Sequence, residues 1–414
     1  MGKRRMKVCI KTFGCKVNKY NSELLRENLL INGSTIVEAS DKADIIIFNS
    51  CVVTEKAEND VLKELRRSKK SSKNIFVTGC ISSSLREKLK AMEIDFFESA
   101  IQESRGIISK VLSVDREKVT IKNTLKDFSG RTRAFVKVQS GCNQFCSYCI
   151  VPYVRGTPKS RNKDEIMNEI REILNNNYKE IVLTGTQIGL YNYGSEKLSD
   201  LVEDIIESFP NLKRLRISSI DPTLIDSKLI NLMSIKESPL CNHLHISLQS
   251  GSNRILKLMN RKYNIEYFLD LIEKLRNNIL DLNITTDIIV GFPSESNSDF
   301  MDTVKVVERA KFSKVHIFPY SDRTETASFN MGDKLAETTK KQRVKELLEF
   351  SNKVSYNVRS SYIGKQVSVL LETKGTGFSR NYLRVILNNE NETNNTGNIV
   401  YTNIKYVDEK FLYG

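Results

Sequence analysis

The chain has 414 residues, room for two or three domains that each bury a core. Hydrophobic residues make up 40% of it, and its longest apolar runs, such as Ile45 to Phe48, fall far short of the roughly 20 residues of a bilayer span, so no membrane segment is expected. The basic start Met1 to Arg5 leads into no apolar h-region, which predicts a cytoplasmic protein, and a net charge of +14 suits a polyanionic partner or an ordinary solvated surface.

Up to about residue 125, apolar strands alternate with amphipathic helices. Strands are predicted at Val8–Phe13, Ala43–Asn49, Asn74–Thr78 and Asp95–Glu98, and helices near Asn21–Ile31, Glu55–Ser68 and Leu85–Met92. This rhythm predicts an α/β domain, a doubly wound parallel sheet with helices on both faces. Ligands in such sheets gather beyond the carboxyl ends of the strands, and there Cys15, Cys51 and Cys80 each follow a strand.

A linker rich in Lys, Thr, Ser and Gly (Lys122–Thr132) precedes a strand at Ala134–Gln139 that feeds a cysteine-bearing loop. Strands then recur at Glu180–Thr184, Arg214–Ser218, His243–Leu248, Asn283–Val290 and Lys314–Pro319. Helices at Lys163–Asn176, Lys197–Ser208, Asp226–Ser234, Tyr263–Asn277 and Ser298–Ala310 separate them. Six strands are too few for a closed eightfold barrel, so residues 132–360 are expected to form a partial (β/α)6 barrel, finished by a long charged helix at Glu337–Val358. From 361 to 414, short alternating strands with Gly-rich turns predict a small antiparallel β-barrel, with the Asn-rich stretch Asn388–Asn398 as a turn.

Eight cysteines in a reducing compartment have to be explained by metal binding, reactivity or plain core. Cys142, Cys146 and Cys149 form a CxxxCxxC triplet, and no further Cys or His occurs from Val111 to Pro239. A centre held by three thiolates keeps one position open for something that reacts, whereas a structural zinc site needs a fourth ligand. Cys9 and Cys241 fall in or beside strands and read as core. The three histidines, His243, His245 and His316, are too few for a histidine-centred acid–base engine; His243 and His245 point to one face of their strand.

The triplet resembles the cluster loop of the radical S-adenosylmethionine (SAM) superfamily. There three cysteines hold a 4Fe-4S cube, and SAM fills the open iron and is cleaved to a 5′-deoxyadenosyl radical. By that resemblance the loop Gly185-Thr186-Gln187 meets the SAM amine, Ser218 and Ser219 face its ribose or carboxylate, and the turn at Gly291 contacts its adenine. Thr12-Phe13-Gly14-Cys15-Lys16-Val17-Asn18, Asn49-Ser50-Cys51 and Thr78-Gly79-Cys80 are similar to the motifs that hold a second 4Fe-4S cluster in the methylthiotransferases of this superfamily. The resemblance implies three functional segments, 1–125, 132–360 and 361–414, the last similar to a TRAM domain, in which Arg380, Asn381 and Tyr382 would grip RNA.

Within the family, Lys16-Val17 resembles the MtaB branch, which acts on N6-threonylcarbamoyladenosine at position 37 of tRNA. The resemblance then implies that one SAM methylates sulfur at the auxiliary cluster, a second supplies the radical that removes hydrogen from carbon 2 of the adenine, and the methylthio group joins that carbon. An aromatic C–H has no usable acidity, so the cofactor has to bring the reactivity. Implied partners are the tRNA anticodon loop, an electron donor such as flavodoxin or ferredoxin, and a sulfur source. Alternatives are N6-isopentenyladenosine-37 or a ribosomal-protein aspartate as substrate and, in another class, a non-catalytic RNA-binding protein with structural metal sites. One departure stands out: after Arg323, where relatives carry Gly-Thr, this chain has Glu325-Thr326, which removes a glycine's positive φ.

Overall fold

The computed structural model describes residues 5–70, 74–97, 104–128, 130–387 and 396–414. Glu98, the first four residues, Ser129 of the linker and 388–395 of the Asn-rich stretch lie outside the described residues. The chain forms two compact units: Met1–Lys126 with Ser140–Pro158 and Ser321–Phe329, and Asp127–Gln139 with Lys159–Tyr320 and Asn330–Gly414.

In the first unit, β1 (Lys7–Thr12), β2 (Thr35–Ile36), β3 (Ile45–Ser50), β4 (Asn74–Gly79) and β5 (Asp95–Phe96) pair in parallel in the order β2-β1-β3-β4-β5. The central strand β3, Ile-Ile-Ile-Phe-Asn-Ser, is buried along its whole length, as a parallel strand covered on both faces must be. Its side chains alternate between two cores. Ile46 and Phe48 pack with Leu62 and Leu65 of α2 (Glu55–Lys69) and Leu85 and Leu89 of α3 (Ser83–Ala91). Ile45 and Ile47 pack with Leu25 and Leu29 of α1 (Lys16–Ile31) and Ile107 and Ile108 of α4 (Ser104–Leu112). The expected doubly wound sheet is therefore present.

Helices α1 and α4 differ from expectation. Helix α1 starts five residues earlier than its apolar periodicity suggests, because Cys15 is its N-cap and the polar Asn18 turns inward to bond the Phe13 and Ser50 carbonyls. Helix α4 is nine residues long and carries Gly106, too short and too weak a helix former to show a period. In the same unit, α5 (Val151–Arg155) is a single turn behind the CxxxCxxC loop, with Pro152 at its start where a missing N–H costs nothing.

In the second unit, β6 (Arg133–Lys137), β7 (Glu180–Thr184) and β8 (Arg214–Ile217) form one parallel sheet, and β9 (His243–His245), β10 (Asn283–Val290) and β11 (Lys314–Pro319) another. Parallel bridges Leu215–Leu240 and Ile220–Ile246 join them into the expected six-stranded open barrel. Helices α6 (Lys163–Asn175), α7 (Leu198–Ser208), α8 (Ser227–Ser234), α9 (Asn253–Leu258), α10 (Ile265–Asn278) and α11 (Asn297–Ala310) lie between strands, and α12 (Glu337–Ser360) packs on β11. The tail curls into a six-stranded, mostly antiparallel sheet around Val369, Leu371, Val385 and Leu412. A buried ionic layer seats it on the barrel's strand starts: Arg214 donates to the Phe378 and Ser368 carbonyls, and Arg133 donates to Glu372. At its centre, burial works against ionisation of Glu180, but Arg216, Arg133 and Arg214 outweigh it and hold the carboxyl well below its ordinary range.

Candidate cluster-binding site

Cys15, Cys51 and Cys80 leave the carboxyl ends of β1, β3 and β4, and a polar lattice ties their three loops together. Asn18 Nδ2 donates to the Phe13 carbonyl at 2.8 Å and the Ser50 carbonyl at 2.7 Å. Ser50 Oγ donates to the Thr78 carbonyl at 2.8 Å and the Cys80 carbonyl at 2.7 Å, and the Cys80 N–H donates to the Ser50 carbonyl. Glycine is required beside two of the cysteines. Gly14 has φ +88°, and a Cβ there would stand 2.6 Å from Cys51 Sγ; Gly79 has φ +98°, and a Cβ would stand 2.4 Å from Asn49 Oδ1.

These thiols are close enough to act on one another. Burial pushes the Cys51 thiol up to about 11, with the Cys80 and Cys15 sulfurs adding to the rise; burial likewise raises Cys80. Cys15 is exposed, so the group has one open side. Among the described residues, no three His, Cys, Asp or Glu side chains gather tightly enough for a single metal ion. A lone tetrahedral ion draws thiolates to about 2.3 Å each, whereas a cube seats each on a different iron and spreads them. The converging loops and the donor set fit a cube. Buried Asn49 Oδ1 and Thr78 Oγ1 beside them have no hydrogen-bond partner.

The second triad lies on the loop 140–158 of the same unit. Gly141, at φ +81°, lets the loop close on itself: a Cβ would stand 2.1 Å from the Thr157 carbonyl, and the Cys142 N–H reaches the Gly156 carbonyl at 3.0 Å. The Cys149 N–H donates to the Cys146 carbonyl, and the Ser147 carbonyl accepts from the Ser328 N–H, which fixes the middle of the loop. All three thiols are half-exposed, and Phe145 between them takes a positive φ of 46° with its ring exposed against Tyr153. An open, pinned loop of three cysteines fits a cube with one free corner.

The other expected site residues sit in the second unit. Gly185, Thr186 and Gln187 follow β7; the Gln187 N–H donates to Gln139 Oε1, and Gln187 Oε1 accepts from the Asp221 N–H, so this loop and the one after β8 are joined. Ser218 is 7% exposed and its Oγ has no partner, while Ser219 Oγ is 3.2 Å from Ser247 Oγ. Gly291 has φ +73° with Lys340 behind it, and its N–H is taken by Glu295. His243 and His245 do share a face, and both reach Thr285 Oγ1, at 3.0 and 2.9 Å; His245 also meets Asp287 at 3.1 Å.

Arg380, Asn381 and Tyr382 are turned into the fold. Arg380 donates to the Ser238 and Leu240 carbonyls, Asn381 is buried against Asp281 and Tyr362, and the Tyr382 ring stacks on Phe378 under the Arg216 guanidinium. Cys9 and Cys241 are buried core residues, as expected. The Arg66–Lys70 charge run is the exposed last turn of α2, apart from the buried Ser68.

Sequence reasoning missed Arg155, whose Nε donates to Cys80 Sγ at 3.1 Å; its one signal is a place six residues past Cys149. It also left open the loop at Glu325. Neither Glu325 nor Thr326 adopts a positive φ, so glycine is not needed there. Glu325 instead accepts from the Ser83 N–H at 2.6 Å and the Ser83 hydroxyl at 2.7 Å.

Comparison with known proteins shows the family. Residues 136–307 match the radical SAM superfamily, and residues 7–98 match uncharacterized protein family UPF0004. A protein from Chlamydia pneumoniae named threonylcarbamoyladenosine tRNA methylthiotransferase MtaB is 37% identical over 374 residues, 89% of this chain and 87% of the relative. A tRNA-2-methylthio-N(6)-dimethylallyladenosine synthase from Thermoanaerobacter sp. (strain X514) is 36% identical over 390 residues, 88% of this chain and 81% of the relative. Among solved structures, the radical SAM methyltransferase TsrM from Kitasatospora setae superposes with a TM-score of 0.54 at 10% identity, over 79% of this chain and 77% of that one, which shows the fold alone. On the strength of the full-length relatives, the chain belongs to the radical SAM tRNA methylthiotransferases, enzymes that bind S-adenosyl-L-methionine and carry two 4Fe-4S clusters.

Proposed function

We propose that the protein methylthiolates carbon 2 of N6-threonylcarbamoyladenosine at position 37 of tRNA. The observation that carries this reading is the agreement between the Lys16-Val17 motif beside Cys15 and relatives of that name at 37% and 38% identity, aligned over 86–87% of their own length. The barrel supports it. His245 and Asp287, partly exposed and 3.1 Å apart, give strands β9 and β10 a polar face, suited to a substituent with carboxylate, hydroxyl and ureido groups and poorly suited to an apolar dimethylallyl group.

In this reading, Cys142, Cys146 and Cys149 hold one cluster, and Cys15, Cys51 and Cys80 hold the other. With SAM they supply a carbon-centred radical and a methyl-bearing sulfur, which the protein's acids and bases cannot provide. The residues of the chain bind and orient: Gly185 to Gln187, the orphaned Ser218 hydroxyl, Ser219 and Gly291 are assigned to SAM. Segments 1–125, 132–360 and 361–414 are assigned the auxiliary-cluster, radical and RNA-gripping roles. On the tail, Tyr401 and Lys405 are exposed and are assigned to meet RNA, flanked by the exposed Arg384, which lies over Phe411, and Tyr406, which stacks on Tyr413, while Arg380, Asn381 and Tyr382 are engaged within the fold. A flavodoxin- or ferredoxin-type electron donor, a sulfur source and a cytoplasmic location complete the proposal; among the described residues no helix is long and apolar enough to cross a membrane.

Nucleoside mass spectrometry of tRNA from a deletion strain tests the substrate. The expected result is loss of 2-methylthio-N6-threonylcarbamoyladenosine with its unmethylthiolated precursor retained. Loss of the dimethylallyl product instead would transfer the assignment to the second reading, which relatives at 35–36% identity keep open.

A further inference from the structure

Arg155 ends α5, and two neighbours on its segment, Ile150 and Val154, join the hydrophobic core that contains Phe48, Val77 and Cys80. The segment that leaves the CxxxCxxC loop is therefore built into the auxiliary site. From that anchor, Arg155 Nε donates to Cys80 Sγ at 3.1 Å, and Nη2 donates to Asn18 Oδ1, the same Asn18 that bridges Phe13 and Ser50.

The charge environment of this guanidinium differs from that of five arginines drawn into the fold beside a carboxylate. Arg161 meets Glu169, Arg216 meets Glu180, Arg261 meets Asp221, Arg323 meets Glu58 and Arg343 meets Glu295. The charge of Arg155 faces three sulfurs, Cys80, Cys15 and Cys51, and the neutral amide of Asn18. Among the described residues no carboxylate pairs with Arg155, so negative charge carried by the sulfurs it faces stabilises this partly buried cation. An iron–sulfur cube on three thiolates has net negative charge, and reduction adds more, so a cation bonded to one ligating sulfur stabilises the reduced form over the oxidised one.

We propose that Arg155 is the positioning residue that sets the reduction potential of the cluster on Cys15, Cys51 and Cys80, holding it higher than three thiolates alone would. The inference rests on the assignment of those cysteines to a cluster. The step is a one-electron reduction; the electron comes from the chemical reductant of the titration and no bond is broken. One hydrogen bond from a charged donor alters the reduced-to-oxidised ratio about tenfold, ~59 mV for one electron.

The test uses the full chain with Cys142, Cys146 and Cys149 changed to Ala, so that only the auxiliary cluster loads, and measures iron content, thermal stability and an EPR-monitored dithionite titration. With Arg155→Met added, the expected result is unchanged iron and a midpoint lower by about that tenfold ratio. Arg155→Lys, which keeps the charge and a single donor, should fall between. Unchanged iron with an unmoved midpoint would overturn the proposal alone. Absence of iron from the parent triple variant would overturn the cluster assignment and the proposal together. Loss of iron from both Arg155 variants at a parental melting temperature would make the residue a holder of the cluster and also overturn its role as a tuner.

Discussion

At Gly14 the missing side chain is a conformational requirement. The residue sits at φ +88° with Cys51 Sγ 2.6 Å from where a Cβ would be, so any other residue both strains the backbone and pushes aside the Cys51 thiol, which is proposed to hold the auxiliary cluster. Gly14→Ala is expected to lose the auxiliary cluster while the loop 140–158 keeps its own, taking iron from about eight to about four atoms per chain, measured by iron and sulfide analysis after anaerobic purification. Iron that stayed near eight would mean the loop yields at no cost. The places of the six candidate cysteines were legible in the sequence because each follows a strand or sits in a fixed short spacing. Arg155 was not legible: a hydrogen bond to Cys80, 75 positions away, leaves no local pattern.

At the scale of elements, the segment 321–329 shows how a chain can lose one device and gain another. Arg323 donates to the Val52 carbonyl at 2.9 Å, to the Thr54 carbonyl and to Glu58, closing the turn after Cys51, and Glu325 caps the start of α3 beside Ser82. A carboxylate at a helix N-terminus is well placed for the exposed N–H groups and the dipole. Arg323→Met leaves two carbonyls and one carboxylate short of a donor, and a loss of about 3 kcal/mol is expected, near the low end for a broken buried pair because Lys88 still meets Glu58. Denaturant melts would show it. The wild type carries a matching acid signature. Burial opposes ionisation of Glu58, yet Lys88, Arg323 and Ser82 outweigh it and hold the carboxyl below its ordinary 4.5. Its contribution is therefore complete above pH 4.5 and is lost as the pH falls through the lower folded value; melts from pH 6 to pH 3 should show a smaller loss in Arg323→Met than in the wild type. The longer strands and helices of both α/β units were legible, the buried strands as short apolar runs and the helices from a period of 3.6. The short pieces, α4, α5 and the two-residue edge strands, were not, because one turn or one pair has no period to read.

At the scale of the whole molecule, sequence order misleads where distant segments share one unit. The CxxxCxxC loop follows β6 in the chain yet packs with Met1–Lys126, so both cysteine triads belong to one unit. The tail raises the same problem. An Arg-Asn-Tyr run on a small β-sheet reads as an RNA grip, since aromatic and basic side chains are what stacks on bases and pairs with phosphates. The same chemistry also serves inside a protein. Tyr382 lies 4.7 Å from the Phe378 ring, 4.8 Å from His243 and 4.6 Å from the Arg216 guanidinium, over the ionic layer centred on Glu180. Removing the ring strips those contacts and opens a void over paired charges, so Tyr382→Ala is expected to cost about 3 kcal/mol, seen as a lower melting temperature and faster proteolysis of the tail. Tyr401 is two-thirds exposed and stacks on no ring among the described residues; Tyr401→Ala is expected to leave the melt within about 0.5 kcal/mol of wild type and to weaken tRNA binding by about 1 kcal/mol or more. The reverse pattern, a stable Tyr382→Ala that releases tRNA beside a silent Tyr401→Ala, would return the RNA-gripping role to the 380–382 run and require the tail to open from the barrel when RNA binds.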